Sequence, residues 1–350
     1  MFFRGSPERA RRRISARAPW RWERATRPEK KYEQNLDCAI MEFMDIPITQ
    51  SKEWEKLQQD LKEVSFYREE RDYRYLAIKK ATPVGDYLYL PYGPVAETKN
   101  AFKSALEDIK DLARSENAIF IRIEPRNRDF IELFPKNTIK SHDLNPKETW
   151  VLDLTGTEEE FKKRLPSRLL RYYRNREKNG LKIETSHNPE DIKHLLSLQK
   201  SLAKEKNIST FSEYYLKTEL KQPFATLYLV KHQNPESLEE EIIAAGLVFD
   251  NGDTRYNLQG AQSDQGRRLH ATGVLTIQLI EDARAKDLKK FDFWGIAPEG
   301  APDTHPWAGF TNFKKTFAGY EVDFAGTYDI VLKPTKYKTY QFLRKIRRFI

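Results

Sequence analysis

The sequence predicts an α/β fold, of the α+β kind, built from two successive units with mixed sheets. Three observations predict it. Apolar residues at helical spacing alternate with short β-rich runs along the body of the chain. The order of these elements recurs beyond Trp150, although the residues themselves do not repeat. A chain of 350 residues is also long enough to bury two cores of ordinary size.

The first unit opens with Ser51 leading a helix that carries Trp54, Leu57 and Leu61 on one face. Residues 73–81 and 87–91 read as paired strands. A helix over 97–115 follows, with Phe102, Leu106, Ile109 and Leu112 at helical spacing, then a short apolar strand over 118–124 closed by Pro125. In the second unit the alternation of residues 150–154 predicts an edge strand. Thr157 and Glu160 form a capping box for a helix that Pro166 interrupts, and a further helix reaches Asn179 with Gly180 as its stop. Helices over 189–204 and 212–220 lead to strands at 225–231, 242–249 and 255–259. A helix over 265–285, a strand over 290–294, a helix around Asn312 and one last strand over 320–332 complete the chain.

The net charge of +9 invites a nucleic-acid reading, but it is unevenly placed. Residues 1–40 carry 11 Lys and Arg against 5 Asp and Glu, and residues 331–350 carry 7 bases and no acid, so the body between them is slightly acidic. Up to Pro28 the bases are all arginine, which sets the head apart. It reads either as a disordered basic tail or as a start assigned too far upstream, with Met41 or Met44 as the true first residue. The run Met1–Phe3 is too short for a signal segment, and the apolar run over 242–249 suits a buried strand, so a cytoplasmic protein is expected.

Several chemistries are excluded. The single cysteine, Cys38, supplies no disulfide frame and no thiol nucleophile in the body. His142, His187, His194, His232, His270 and His305 lack metal-ligand spacing, and no nucleophile elbow or phosphate loop is present. The stretch 268–273 approaches the pyrophosphate loop of coenzyme-A-dependent N-acetyltransferases, with Arg267 and Arg268 beside it. Its first small residue is Ala271, however, where glycine would allow close approach.

Three segments carry the most chemistry: residues 256–261, residues 291–296, and residues 309–314, where Lys314 follows Phe313. Strand, helix, strand, loop and helix in that order suit a site that holds an acyl donor against an amine. Elsewhere Arg164, Arg168, Arg171 and Lys178 recur at helical spacing, with Arg174 adjoining and Tyr172 and Tyr173 interleaved. This is either a solvated face or a groove for RNA phosphates. The tail sets Tyr337, Tyr340, Leu343, Ile346 and Ile350 along one side and Lys338, Arg344, Lys345, Arg347 and Arg348 among the rest. That pattern fits an interfacial helix on anionic lipid or, equally, a tRNA contact.

Over residues 41–345 the chain resembles the Fem-type (FemABX) aminoacyl-tRNA-dependent transferases that build peptidoglycan cross-bridges. The landmarks are residues 92–95, 121–125, 149–154, the arginine-rich helix ending at Gly180, and residues 258–261, 291–296 and 313–314, in the family's order. The resemblance implies two tandem GNAT-like (N-acyltransferase) domains, the first of residues 41–150 completed by 318–345 and the second of 151–317, with 336–350 as a basic terminal helix. It implies transfer of an amino acid from aminoacyl-tRNA, as co-substrate, to the stem-peptide amine of a peptidoglycan precursor. No metal and no other cofactor is implied. An aminoacyl ester is already activated, so aminolysis mainly needs orientation and oxyanion stabilisation, which a fixed Lys314 cation beside Phe313 would supply.

By the same resemblance Trp54 and Tyr92 hold the precursor, and Glu97 stands where the family has aspartate, assisting deprotonation or anchoring the incoming ammonium. Ser209, Tyr215 and Tyr256 contact substrate, and Arg168, Arg171 and Arg174 face tRNA. Phe211 occupies the place of an arginine that meets the precursor's phosphates, and the link between Gln199 and Phe211 leaves no room for a coiled-coil arm. A monomer in peripheral contact with the inner face of an anionic membrane is expected. The rivals are an acyl-coenzyme A N-acyltransferase and a non-catalytic tRNA- or membrane-binding module.

Overall fold

The computed structural model describes residues 46–206, 210–233, 239–302, 304–305 and 307–346, all within one compact unit. The basic head, Ser209 and the last four residues lie outside them. Two mixed α/β lobes follow one another, as the sequence predicts.

The first lobe holds α1 (Lys52–Asp60), β1 (Val64–Glu69), β2 (Tyr73–Lys80), β3 (Tyr87–Leu90), β4 (Val95–Ala96), α2 (Lys99–Ser115), β5 (Phe120–Ile123) and β6 (Thr138–Lys140). Its helices start where hydroxyls cap them: Ser51 accepts from the Trp54 amide and Thr98 from the Ala101 amide. α2 buries Ala101, Phe102, Ala105, Leu106, Ile109 and Ala113 at helical spacing against the sheet. The second lobe holds β7 (Glu148–Asp153), α3 (Glu158–Arg164), α4 (Ser167–Arg174), β8 (Leu181–Ser186), α5 (Ile192–Lys206), α6 (Glu213–Leu220), β9 (Ala225–Gln233), β10 (Glu240–Asn251), β11 (Thr254–Gln262), α7 (Asp264–Arg268), α8 (Ala271–Ala285), β12 (Lys290–Gly295), α9 (Ala308–Lys315) and β13 (Tyr320–Asp323). The chain then returns to the first lobe as β14 (Tyr328–Val331) and α10 (Pro334–Ile346).

The first sheet runs β1-β2-β3-β5-β14-β6, with β4 also on β2; the second runs β13-β7-β12-β11-β10-β9-β8. Each contains one parallel pair, β3 with β5 and β11 with β12, and is otherwise antiparallel. The lobes share a core. Ile48, Trp54, Leu57, Leu76 and Ile78 of the first pack with Ile192, Leu195, Leu216, Leu227 and Phe249 of the second, which fixes the lobes against each other through a dry contact.

Four expectations are corrected. The single strand over 320–332 is two strands in different sheets, because Gly326 takes φ 84° and Asp143 captures the Thr327 amide, turning the chain from one sheet to the other. The second sheet accordingly starts at Glu148 and keeps Tyr320–Asp323, so the return to the first lobe begins at Tyr328 instead of near 318. β7 is no edge strand, since β13 covers it. The helix over 265–285 is broken at His270, which adopts φ 55°. α7 is pressed so closely on β10 that a Cβ at Gly266 would lie 2.3 Å from the Ile243 carbonyl oxygen.

The return strand is anchored by charge. Arg122, 1% exposed, donates from Nε and Nη2 to the two Asp329 oxygens at 2.7 and 2.8 Å, and the Tyr337 hydroxyl donates to the same carboxylate at 2.8 Å. Tyr337 and Tyr340 of α10 also pack on Phe120, so the terminal helix turns its tyrosine side onto its own lobe. None of the helices described is long and apolar enough to cross a membrane. Asp329→Asn leaves the Arg122 charge buried and half-paired, and is expected to cost about 3–5 kcal/mol in urea denaturation; a loss below about 1 kcal/mol would mean that this pair does not anchor the return strand.

Candidate functional site at the lobe junction

The second sheet opens where its parallel pair ends. β11 and β12 run side by side only for Thr254–Tyr256 against Lys290–Asp292, after which β11 continues to Gln262 paired with β10 alone. A crevice beyond the carboxyl ends of parallel strands is a natural place for a ligand. At this point the pairing of β12 with β7 also slips, between Asp292 and Gly295, and Trp294 adopts φ 65°. The Asp292 carboxylate accepts from the Trp294 amide at 2.7 Å and holds the distortion. The bulge sends the Trp294 ring into the lobe junction, edge-on to Tyr256 at 6.0 Å and to Tyr92 at 5.5 Å.

Tyr92, at φ 52°, comes from the first lobe and donates its hydroxyl to the Pro146 carbonyl at 2.7 Å. The chain around Pro146 is held by Glu124, a carboxylate 3% exposed that accepts from Asn145 Nδ2, Tyr89 and Thr327. The resulting small cavity, about 10 Å³ or the room of one water, is lined among others by Tyr92 and Arg126 of the first lobe, Thr149, Tyr256, Asp292 and Trp294 of the second, and Phe324 of the connection.

α9 brings Lys314 to this junction. The Thr311 hydroxyl accepts from the Ala297 amide at 2.8 Å and ties the helix to the exit of β12. Lys314 donates from Nζ to the Gly295 carbonyl at 2.5 Å. Burial pushes its ammonium down to about 8, and the Asp292 carboxylate pulls the other way. Phe313 points into the core of the second lobe, edge-on to Phe317 at 5.6 Å, and serves as the packing that fixes its neighbour.

The other expected site residues are scattered. Trp54 is a core residue, stacked on Phe224 and edge-on to Phe249. Glu97 is exposed at the start of α2 and is not among the residues lining the cavity. Tyr215, half-buried against the shared core, stacks on the exposed Phe211 at 5.0 Å and bonds Glu219. Ser209 lies outside the described residues. Arg168, Arg171 and Arg174 are exposed on α4, with Arg168 and Arg171 flanking the Tyr172 ring, which itself stacks on His270 at 4.1 Å. Tyr92 and Tyr256 thus line the junction cavity and Lys314 reaches the adjoining Gly295 carbonyl, while Trp54, Glu97 and Tyr215 are not part of the cavity.

Sequence reasoning singled out the segments holding Thr149, Asp292 and Trp294 without giving these residues a site role, and passed over Arg126 and Phe324. The signal for Asp292 was present, since an aspartate inside Phe291-Asp292-Phe293-Trp294 is a charge in an otherwise apolar strand.

The loop considered for coenzyme A is filled. The Thr272 amide is taken by Gln262 Oε1 at 3.2 Å, and a Cβ at Gly273 would lie 2.6 Å from Leu169 Cδ2. α4 therefore lies over the helix start that would hold a pyrophosphate.

A model of the FemAB family matches residues 218–345. No curated protein matches the chain. Among solved structures, FemX superposes with a TM-score of 0.73 at 17% identity, over 87% of this chain and 97% of that one. The C-terminal domain (DUF2156) assigned to a lysylphosphatidylglycerol synthetase of Agrobacterium fabrum gives a TM-score of 0.55 at 11% identity, over 87% and 94% of the two chains. L-PGS from Bacillus licheniformis gives 0.53 at 14%, over 87% and 99%. The fold is that of FemX, and with the FemAB match over residues 218–345 it supports a Fem-type family member.

A buried polar chain runs beside the junction. Gln199 Nε2 donates to Gln259 Oε1 at 2.9 Å, and Gln259 Nε2 donates to Glu219 Oε2 at 3.4 Å. Burial raises the Glu219 carboxyl from 4.5 to about 8, with the Tyr215 bond acting in the opposite sense. The folded state therefore keeps a proton that the unfolded chain releases, and stability falls as pH rises from about 4.5 to about 8. Glu219→Gln is expected to shrink the loss of unfolding free energy between pH 5 and pH 8 by roughly 1–4 kcal/mol in urea titrations; an unchanged loss would show that Glu219 is ionised in the native state.

Proposed function

We propose that the chain is an aminoacyltransferase that moves an amino acid from aminoacyl-tRNA to the stem-peptide amine of a peptidoglycan precursor. The observation that carries this reading is the partly buried Lys314 ammonium, fixed on the Gly295 carbonyl where β11 and β12 part. The FemAB match and the FemX fold support a transferase acting on aminoacyl groups, and the tRNA and the precursor belong to our reading.

The geometry suits aminolysis of an ester. A fixed cation at the junction offers charge to the oxygen that becomes negative in the tetrahedral intermediate, and the surrounding aromatic rings exclude water that would screen it. Arg168, Arg171 and Arg174, exposed on α4, would meet tRNA phosphates. The basic residues of α10 that remain outward, Lys336, Lys338 and Lys345, would meet an anionic membrane surface. Glu97, exposed at the lobe's edge, would anchor the incoming ammonium of the acceptor before it enters.

Lys314→Met is expected to lower single-turnover transfer from charged tRNA to a labelled precursor by about 10²- to 10³-fold while leaving tRNA binding intact. Retention of the wild-type rate would remove Lys314 from the mechanism. Because the cation is the active form, the rate should fall as pH rises through about 8, and Lys314→Arg should abolish that alkaline limb. A rate that instead rises through the same pH would make the lysine a general base.

A further inference from the structure

Thr149 is 1% exposed, lines the junction cavity, and its hydroxyl oxygen has no hydrogen-bond partner. A buried hydroxyl without a partner costs stability, so its retention in a wet-sized gap between two lobes calls for an occupant. Its position says which. Thr149 lies directly across the β7–β12 ladder from Gly295, the residue whose carbonyl holds Lys314. The two groups therefore flank the same stretch of backbone, within the reach of neighbouring strands. The charged residues lining the cavity are Arg126 and Asp292, and Lys314 adds a second cation from the neighbouring Gly295 carbonyl, which favours a ligand atom that gains negative charge over an ammonium. The cavity has room for one such atom and for little more.

Resting on the aminoacyl-transfer reading above, we propose that Thr149 is a second donor to the reacting carbonyl, completing with Lys314 an oxyanion site for an aminoacyl ester. The acceptor amine attacks the ester carbon and forms the new C–N bond, while the carbonyl π pair moves onto oxygen. That oxygen enters the gap and accepts the Thr149 Oγ1 proton as a hydrogen bond, with the Lys314 charge beside it. Collapse restores the C=O, breaks the bond to the ribose oxygen, and the proton lost by the amine ends on the departing hydroxyl. Amide and alcohol are the products, and no other reactant is needed. Tyr92, Tyr256, Trp294 and Phe324 wall the gap against bulk water, which strengthens a hydrogen bond formed there.

The test uses the full chain with charged tRNA and labelled precursor in single-turnover transfer. Thr149→Val keeps the shape and deletes the hydroxyl; it should lower kcat about 10²-fold with KM within threefold of wild type, while its melting temperature stays level or rises because an unpaired polar group has gone. Thr149→Ser should keep most of the rate. A Thr149→Val protein that is stable and as fast as wild type overturns the proposal and leaves the transferase reading standing. A Thr149→Val protein that melts earlier, with Thr149→Ser equally slow, assigns the residue to packing and overturns it too. Wild-type protein that transfers nothing overturns both.

Discussion

A lysine taken out of water gains free energy in its charged form, and the junction is arranged around how that cost is met. One backbone carbonyl, Gly295, receives the ammonium, and one carboxylate, Asp292, offsets part of the desolvation. Both partners lie on β12, and both depend on the slip in register that puts Trp294 into a left-handed conformation. The strain stored in that conformation is of order 1–3 kcal/mol for a residue with a side chain, and the surrounding sheet has to over-determine it. It does so through β7 on one side and the Asp292 bond to the Trp294 amide on the other.

The second condition is that the lobes do not slide. A cavity with room for one water-sized group tolerates little relative motion. The shared core of α1, β2, α5, α6 and the middle strands of the second sheet supplies a dry contact, and the chain crosses between lobes twice near the site. The Glu124 network grips both crossings, holding residues 144 and 145 on one and Thr327 on the other. The sequence segment 121–125 thus has a structural meaning at each polar position. Arg122 pins the returning strand, and Glu124 pins the connections that frame Tyr92.

Much of the fold was legible because local signals agreed. Thr157 and Glu160 form the capping box that their spacing announced, Pro166 separates α3 from α4, and Gly180 closes its turn at φ 69°. What escaped was tertiary. Residues 320–332 read as one strand because strand propensity says nothing about which sheet a residue joins, and only the Asp143 contact to Thr327 shows the turn. His270 breaks a helix whose pattern continues on either side, since the close fit of Gly266 on β10 is a long-range constraint. At the site, Lys314, Tyr92 and Tyr256 could be named from segments that are far apart in the chain, whereas Trp54 serves the core because an aromatic at helical spacing looks the same in either role. Thr149 had no local signature of a role and is made notable by an unmet hydrogen bond, whereas Asp292 stood out as a charge in an apolar strand whose distortion only the sheet reveals.

The central claim is that Lys314 is a desolvated cation at the junction, and its own titration tests it most directly. Following the side-chain resonance of isotope-labelled lysine by NMR, assigned by its loss in Lys314→Arg, should give one lysine with a midpoint near 8. A midpoint at the solvent value of about 10.4 would place the ammonium in water and contradict the account.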